Sequence, residues 1–98
     1  MNETLEEQYQ IPPNSIWNHI AKIAIHEDKP IMLDYWIESL KKEVFIGLKS
    51  DDEKLLVKNA EEYTSPIAKI YKLDTVFIIC TENSLYVVSS NIDKKRVS

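Results

Sequence analysis

The stretch TVFIICTENSLYVVSS, residues 75–90, decides the fold. Two apolar, β-branched runs flank the polar break Thr81-Glu82-Asn83-Ser84. Val, Ile, Phe, Tyr and Thr suit a pleated, half-buried surface, and Asn and Ser suit a tight turn. The pattern predicts a β-hairpin and, with it, a compact antiparallel β domain.

Working back from the hairpin, residues 67–73 form a strand that ends at a turn on Asp74, and residues 59–65 form a loop closed by Pro66. Lys54 to Lys58 is a short strand with Leu55 and Val57 on one face and Leu56 on the other. It follows a turn at Ser50-Asp51-Asp52-Glu53. Val44, Ile46 and Leu48 alternate with Phe45, Gly47 and Lys49. Ile31, Leu33, Tyr35 and Ile37 alternate with Met32, Asp34, Trp36 and Glu38, which again is a strand period. Before them the period is helical. Asn14 or Ser15 caps a helix over residues 14–27 whose apolar residues fall at Ile16, Ile20, Ile23 and Ala24, with Trp17 on the flank. Pro30 follows its end.

The fold class expected is mainly β (α+β). An N-terminal amphipathic helix precedes a curled antiparallel meander of five or six strands, an SH3-like small barrel. Short breaks favour antiparallel neighbours, since a parallel crossover needs a dozen or more residues. Curling closed removes exposed edges. The domain plan is a flexible acidic segment at 1–13, one globular domain at 14–90 (helix 14–27, strands 31–89) and a flexible basic tail at 91–98.

Ninety-eight residues make one domain with one modest core. A single glycine rules out glycine-rich phosphate loops. The net charge of −4 is unevenly placed. Glu3, Glu6 and Glu7 give residues 1–13 a charge of −3, while Asp93, Lys94, Lys95 and Arg96 give the tail +2. An acidic body has no broad basic footprint for a phosphate backbone and suits a basic protein partner. Cys80 is the only cysteine, so no internal disulfide is expected. No apolar run approaches the ~20 residues of a membrane span. The acidic N-terminus has no signal-peptide core, which makes Asn2-Glu3-Thr4 a chance glycosylation triplet. A cytoplasmic, reducing location is the expectation.

The candidate chemical residues reduce to structural ones. His19 and His26 share a helix face but lie two turns apart, about 10.5 Å along the axis. One zinc, with Zn–N bonds of about 2.0–2.1 Å, cannot reach both. Cys80 sits among Ile78, Ile79 and Thr81 with no local cation to activate a thiolate, which reads as a buried structural thiol. Asp51-Asp52-Glu53 and Glu61-Glu62 lie at turns and lack the alternate-residue spacing of a calcium loop. No catalytic residue, metal ligand or cofactor is therefore assigned. Trp36 remains as a partner anchor: strand alternation turns it outward beside Met32 and Asp34. The opposed placement has the helix covering that face, and strand position does not choose between them.

Two motifs, Tyr63-Thr64-Ser65-Pro66-Ile67 and Thr81-Glu82-Asn83-Ser84-Leu85-Tyr86-Val87, together resemble small β-barrel proteins of phages, large viruses and bacteria. The resemblance covers about a quarter of the chain. It implies the barrel and a phage or viral setting, and it carries no functional residues. The helix-then-strands order, with Ile37-Glu38-Ser39-Leu40, is also similar to Sm-like RNA-binding barrels, although no glycine turn precedes that segment here.

The function expected is a non-catalytic small binding protein acting through protein–protein contacts, as a phage or viral inhibitor or accessory protein. One alternative is a single-stranded nucleic-acid-binding barrel using Lys69, Tyr71, Lys72, Lys94, Lys95 and Arg96, with Tyr71 stacking on a base. Another is a virion structural component. Self-association through an open sheet edge is a further route to an oligomer.

Overall fold

The computed structural model describes residues 14–97. The expected lead-in at 1–13 lies outside them. The order is α1 (Asn14–Glu27), β1 (Ile31–Met32), α2 (Trp36–Leu40), β2 (Phe45–Leu48), β3 (Lys54–Asn59), β4 (Glu62–Tyr63), β5 (Ile67–Leu73), β6 (Val76–Thr81), β7 (Leu85–Ser89) and β8 (Asp93–Arg96). The strands form two four-stranded sheets, ordered β1-β7-β6-β5 and β4-β3-β2-β8. Over the described residues the chain is mainly β with two helices, an α+β arrangement of three layers: α1, the first sheet, the second sheet.

The hairpin of residues 75–90 is the centre of this stack. β6 and β7 pair antiparallel from Val76↔Ser89 to Cys80↔Leu85. The turn is held by the Thr81 N–H, which donates to the Ser84 carbonyl at 3.0 Å. Side chains alternate along each strand, so an apolar run without polar interruption fills two faces at once. Val76, Ile78, Cys80, Leu85 and Val87 meet Ile16 and Ile20 of α1, and Trp36 joins them. Ile79 and Val88 point the other way, into a second core with Tyr35, Val44, Ile46 and Leu56. Truncating a fully buried Ile of this kind to Ala costs about 2–5 kcal/mol.

Helix α1 buries Ile16 and Ile20 and half-buries Trp17, Ile23 and Ala24, the stripe set by its sequence period. It ends in a Schellman motif. The Lys29 N–H donates to Ala24 O and the Asp28 N–H to Ile25 O, both at 3.2 Å, with Asp28 at φ 58°. Helix α2 ends the same way: Glu43 N–H donates to Glu38 O, Lys42 N–H donates to Ser39 O, and Lys42 sits at φ 59°. With one glycine in the chain, Asp28, Lys42, Asp52 and Asp74 occupy left-handed positions that glycine commonly fills.

Five expectations change. Residues 31–38 are not one strand. β1 stops at Met32, a turn follows in which Trp36 N–H donates to Leu33 O at 3.1 Å, and α2 begins at Trp36. Burial decides this, since α2 places Trp36 and Ser39 in the interior together. The Ser39 hydroxyl donates to Trp36 O at 2.6 Å and accepts the buried Ser89 N–H at 2.8 Å. The order is also not a meander: β1 joins β7 in parallel, and β8 joins β2 in parallel. The tail is a strand rather than a loose end, because β2 supplies its partner over Asp93–Arg96. Within the expected loop 59–65, Glu62–Tyr63 pairs with β3. The two sheets are not closed into a barrel.

Candidate functional site

An antiparallel pair with one face in water ordinarily shows polar residues outward. The second sheet departs from this. Ile46 and Leu56 point inward to the core and are fully buried. The opposite parity, Phe45 and Gly47 on β2 and Leu55 and Val57 on β3, forms the outer face. Tyr63 of β4 pairs with Val57 and extends that face, and Val97 follows β8 at the other side. Phe45, Leu55, Val57, Tyr63 and Val97, with Lys49, Asn59 and Ala60, line an open groove of about 530 Å³. Tyr63 is 58% exposed and Val97 41%.

The chain's only glycine shapes the floor of this groove. A Cβ at Gly47 would stand 2.9 Å from Val57 Cγ2 and 3.0 Å from Val97 Cγ1. Glycine lets the two valines close over the strand. The Val97 N–H donates to Leu48 O at 2.9 Å, which holds the chain beyond β8 against β2.

Cations border the groove. Lys95 Nζ lies 4.8 Å from the Phe45 ring centroid, within cation–π range. Lys49 Nζ is 3.5 Å from Glu53 Oε1. Across β3, Lys58 Nζ lies 3.6 Å from Glu38 and 3.9 Å from Glu62. Among the described residues, Lys94, Lys95 and Arg96 form no ion pair with a carboxylate, and all three are exposed.

The residues singled out from sequence are scattered. Met32 is half-buried on β1, Asp34 is exposed in the following turn, and Trp36 is 5% exposed in the core against α1. Of the two placements left open for Trp36, the covered one holds. The three do not form an outward anchor, because α2 turns the indole inward.

The nucleic-acid set divides between sheets. Lys69, Tyr71 and Lys72 lie on β5 of the first sheet, and Lys94, Lys95 and Arg96 on β8 of the second. Glu27, at the end of α1, accepts from Lys69 Nζ at 2.9 Å and from the Tyr71 hydroxyl at 2.7 Å. These hydrogen bonds, Lys69 first, hold the Glu27 carboxyl down to about 2, well below the usual carboxylate range. The same Glu27 hydrogen bond raises Lys69 and Tyr71 above their ordinary values. The half-buried Tyr71 ring packs against the first core, so it is a clasp between α1 and β5 rather than a stacking platform.

Cys80 is buried at 1% exposure. Lys29 Nζ lies 3.4 Å from its sulfur and donates to Thr81 O at 2.7 Å. His19 and His26 are exposed on α1, and Asp51, Asp52, Glu53, Glu61 and Glu62 are exposed at turns and at β4. Among the described residues no group of three or more His, Cys, Asp or Glu is arranged to hold a metal. No described helix is long and apolar enough to cross a membrane.

Sequence reasoning did not single out Phe45, Leu55, Val57 and Val97. The signal was in the sequence: residues 45–48 and 55–57 are apolar at both parities, which demands cover on two faces. Comparison with protein-family models, curated proteins and solved structures finds no match to this chain.

Proposed function

We propose that this chain is a non-catalytic binding protein that acts by protein–protein contact and docks its partner on the outer face of the second sheet. The observation that carries the reading is the apolar groove of Phe45, Leu55, Val57, Tyr63 and Val97 on a face that alternation would otherwise leave polar. An aromatic rim residue with its ring in water and a hydroxyl at its tip is a common interface anchor. The overall charge of −4 suits a basic partner, but Lys49 lines the groove, Lys95 stands over Phe45 with Asp93 on the same face, and the β8 edge beside them carries a net charge of +2. The reading follows the local field: the partner brings apolar side chains flanked by carboxylates.

In its sharper form the protein is a small inhibitor or accessory protein of a phage or virus, working in the cytoplasm. A virion component would use the same face. The test compares co-purification by the wild type and by Leu55→Glu, with circular dichroism showing that the variant is folded. Loss of a co-purifying protein in the folded variant supports the reading. Equal recovery by both refutes it.

A second reading rests on Lys95 over Phe45, with Lys94 and Arg96 on the same strand and Tyr63 exposed nearby. Aromatics beside cations can hold single-stranded nucleic acid. It predicts steep salt dependence of binding. A gel assay at low salt that shows no shifted single strand removes it.

A further inference from the structure

The geometry points to an extended acidic peptide that adds to the second sheet as a fifth strand along β8. This deepens the proposal above and rests on it, because it names the class of partner that enters the groove from its β8 side.

β8 closes the second sheet: among the described residues its ladder runs to β2 alone. Along a strand, successive residues turn their N–H and C=O to opposite sides. The Val97 N–H points to β2, where it meets Leu48 O. By alternation Lys95 also faces β2, while Lys94 and Arg96 turn one N–H and one C=O each to the open side. Those groups are a template for strand addition.

The side chains give the partner its chemistry. Lys95 and Val97 stand on the outer face beside Phe45, next to the groove. Lys94 and Arg96 stand on the opposite parity, both exposed. A peptide that alternates apolar and acidic residues matches this edge in its own two-residue period. Its apolar side chains continue the groove face and its carboxylates face Lys94 and Arg96. Cations on an edge strand also deter pairing with another copy of the same strand, by like-charge repulsion. Asp93 lowers the strand's charge to a net +2, which still favours an acidic partner over a second copy of this chain. The other edges fit less well. β1 and β4 have two residues each, and on β5 Lys69 is already held by Glu27.

The test uses a fluorescein-labelled peptide, Val-Asp-Val-Asp-Val-Asp-Val with blocked ends, titrated with the full chain and followed by anisotropy. N-methylation at the Asp amides and N-methylation at the Val amides are compared. In an added strand one set of amides faces β8 and the other faces water, so one pattern weakens binding about tenfold or more and the other leaves it unchanged. Lys94→Glu with Arg96→Glu, both at exposed positions, also weakens binding at least tenfold while the circular dichroism spectrum stays the same. The matching Val-Lys peptide binds far more weakly than the parent. Equal binding by both N-methylated forms, or by the lysine peptide, overturns strand addition, as does absence of binding by the parent. Parent binding that resists both methylations but is lost in Leu55→Glu overturns strand addition and leaves the groove reading standing. Binding unaffected by Leu55→Glu yet sensitive to one methylation pattern keeps the strand and removes the groove.

Discussion

Gly47→Ala is the sharpest structural test, because it adds one carbon at a measured place. The new Cβ would stand 2.9 Å from Val57 Cγ2 and 3.0 Å from Val97 Cγ1, closer than carbon atoms settle. Val57 is β-branched and only 7% exposed, so it yields little. Val97 is 41% exposed and lies past the end of β8, so it moves outward. Overpacking of this kind costs about 1–3 kcal/mol. Alanine recovers about 0.5–1 kcal/mol by restricting the unfolded chain relative to glycine. Taken at their central values these leave a loss of about 1 kcal/mol, or roughly 4–8 °C in Tm for a domain of this size. Urea denaturation with an unchanged m-value reads it directly. The partner variant Val97→Ala removes one of the two clashing side chains. The double variant is therefore less destabilised than the sum of the singles, by about 0.5 kcal/mol or more. A Gly47→Ala protein as stable as the wild type, or strict additivity in the cycle, would refute this account of the groove floor.

Ser39→Ala leaves the buried Ser89 N–H without its acceptor and costs about 1–3 kcal/mol by denaturation. Lys42→Gly relieves a lysine held at φ 59° and stabilises by about 0.5–1 kcal/mol in the same assay. Glu27 has its carboxyl lowered from 4.5 to about 2 by Lys69 and Tyr71, so its contribution to stability is present above about 4.5 and is lost as pH falls toward 2. Glu27→Gln shows less acid sensitivity across that window, measured as Tm against pH. Tyr35 is raised from 10.0 to about 12, first by burial and then by the Glu62 charge, and its ring stacks on Tyr86 with centroids 5.6 Å apart. Its contribution is intact below pH 10 and fades as pH rises to 12, so Tyr35→Phe flattens the alkaline fall in stability.

The parts of the fold legible in the sequence are those set by neighbours in the chain. The stripe Ile16, Ile20, Ile23 and Ala24 has only one reading at 3.6 residues per turn. The β6–β7 hairpin announces itself by two apolar runs and a polar turn. The parts that were not legible depend on distant partners. Asp93-Lys94-Lys95-Arg96 has no strand character of its own, and β2 makes it a strand. The alternation from Ile31 to Glu38 is equally compatible with a short strand and a helix of five residues. Burial of Trp36 beside Ser39 chooses the helix. The parallel pairings of β1 with β7 and β8 with β2 leave no local mark at all. The groove was half visible, in apolar residues at both parities over 45–48 and 55–57. What hid it was the assumption of one curled sheet, which gives each strand only one face to bury.

The most direct test of the docking face places a photoreactive benzoylphenylalanine at Tyr63, on the groove rim, or at Ile25, which is 80% exposed on α1 and lies in a separate layer. Each protein is irradiated in the cells that naturally express the chain, and adducts are resolved by mass. The account predicts a discrete protein adduct from position 63 that vanishes when Leu55→Glu is added, and none from position 25. Adducts from position 25 alone, or an adduct at 63 that survives Leu55→Glu, would contradict it.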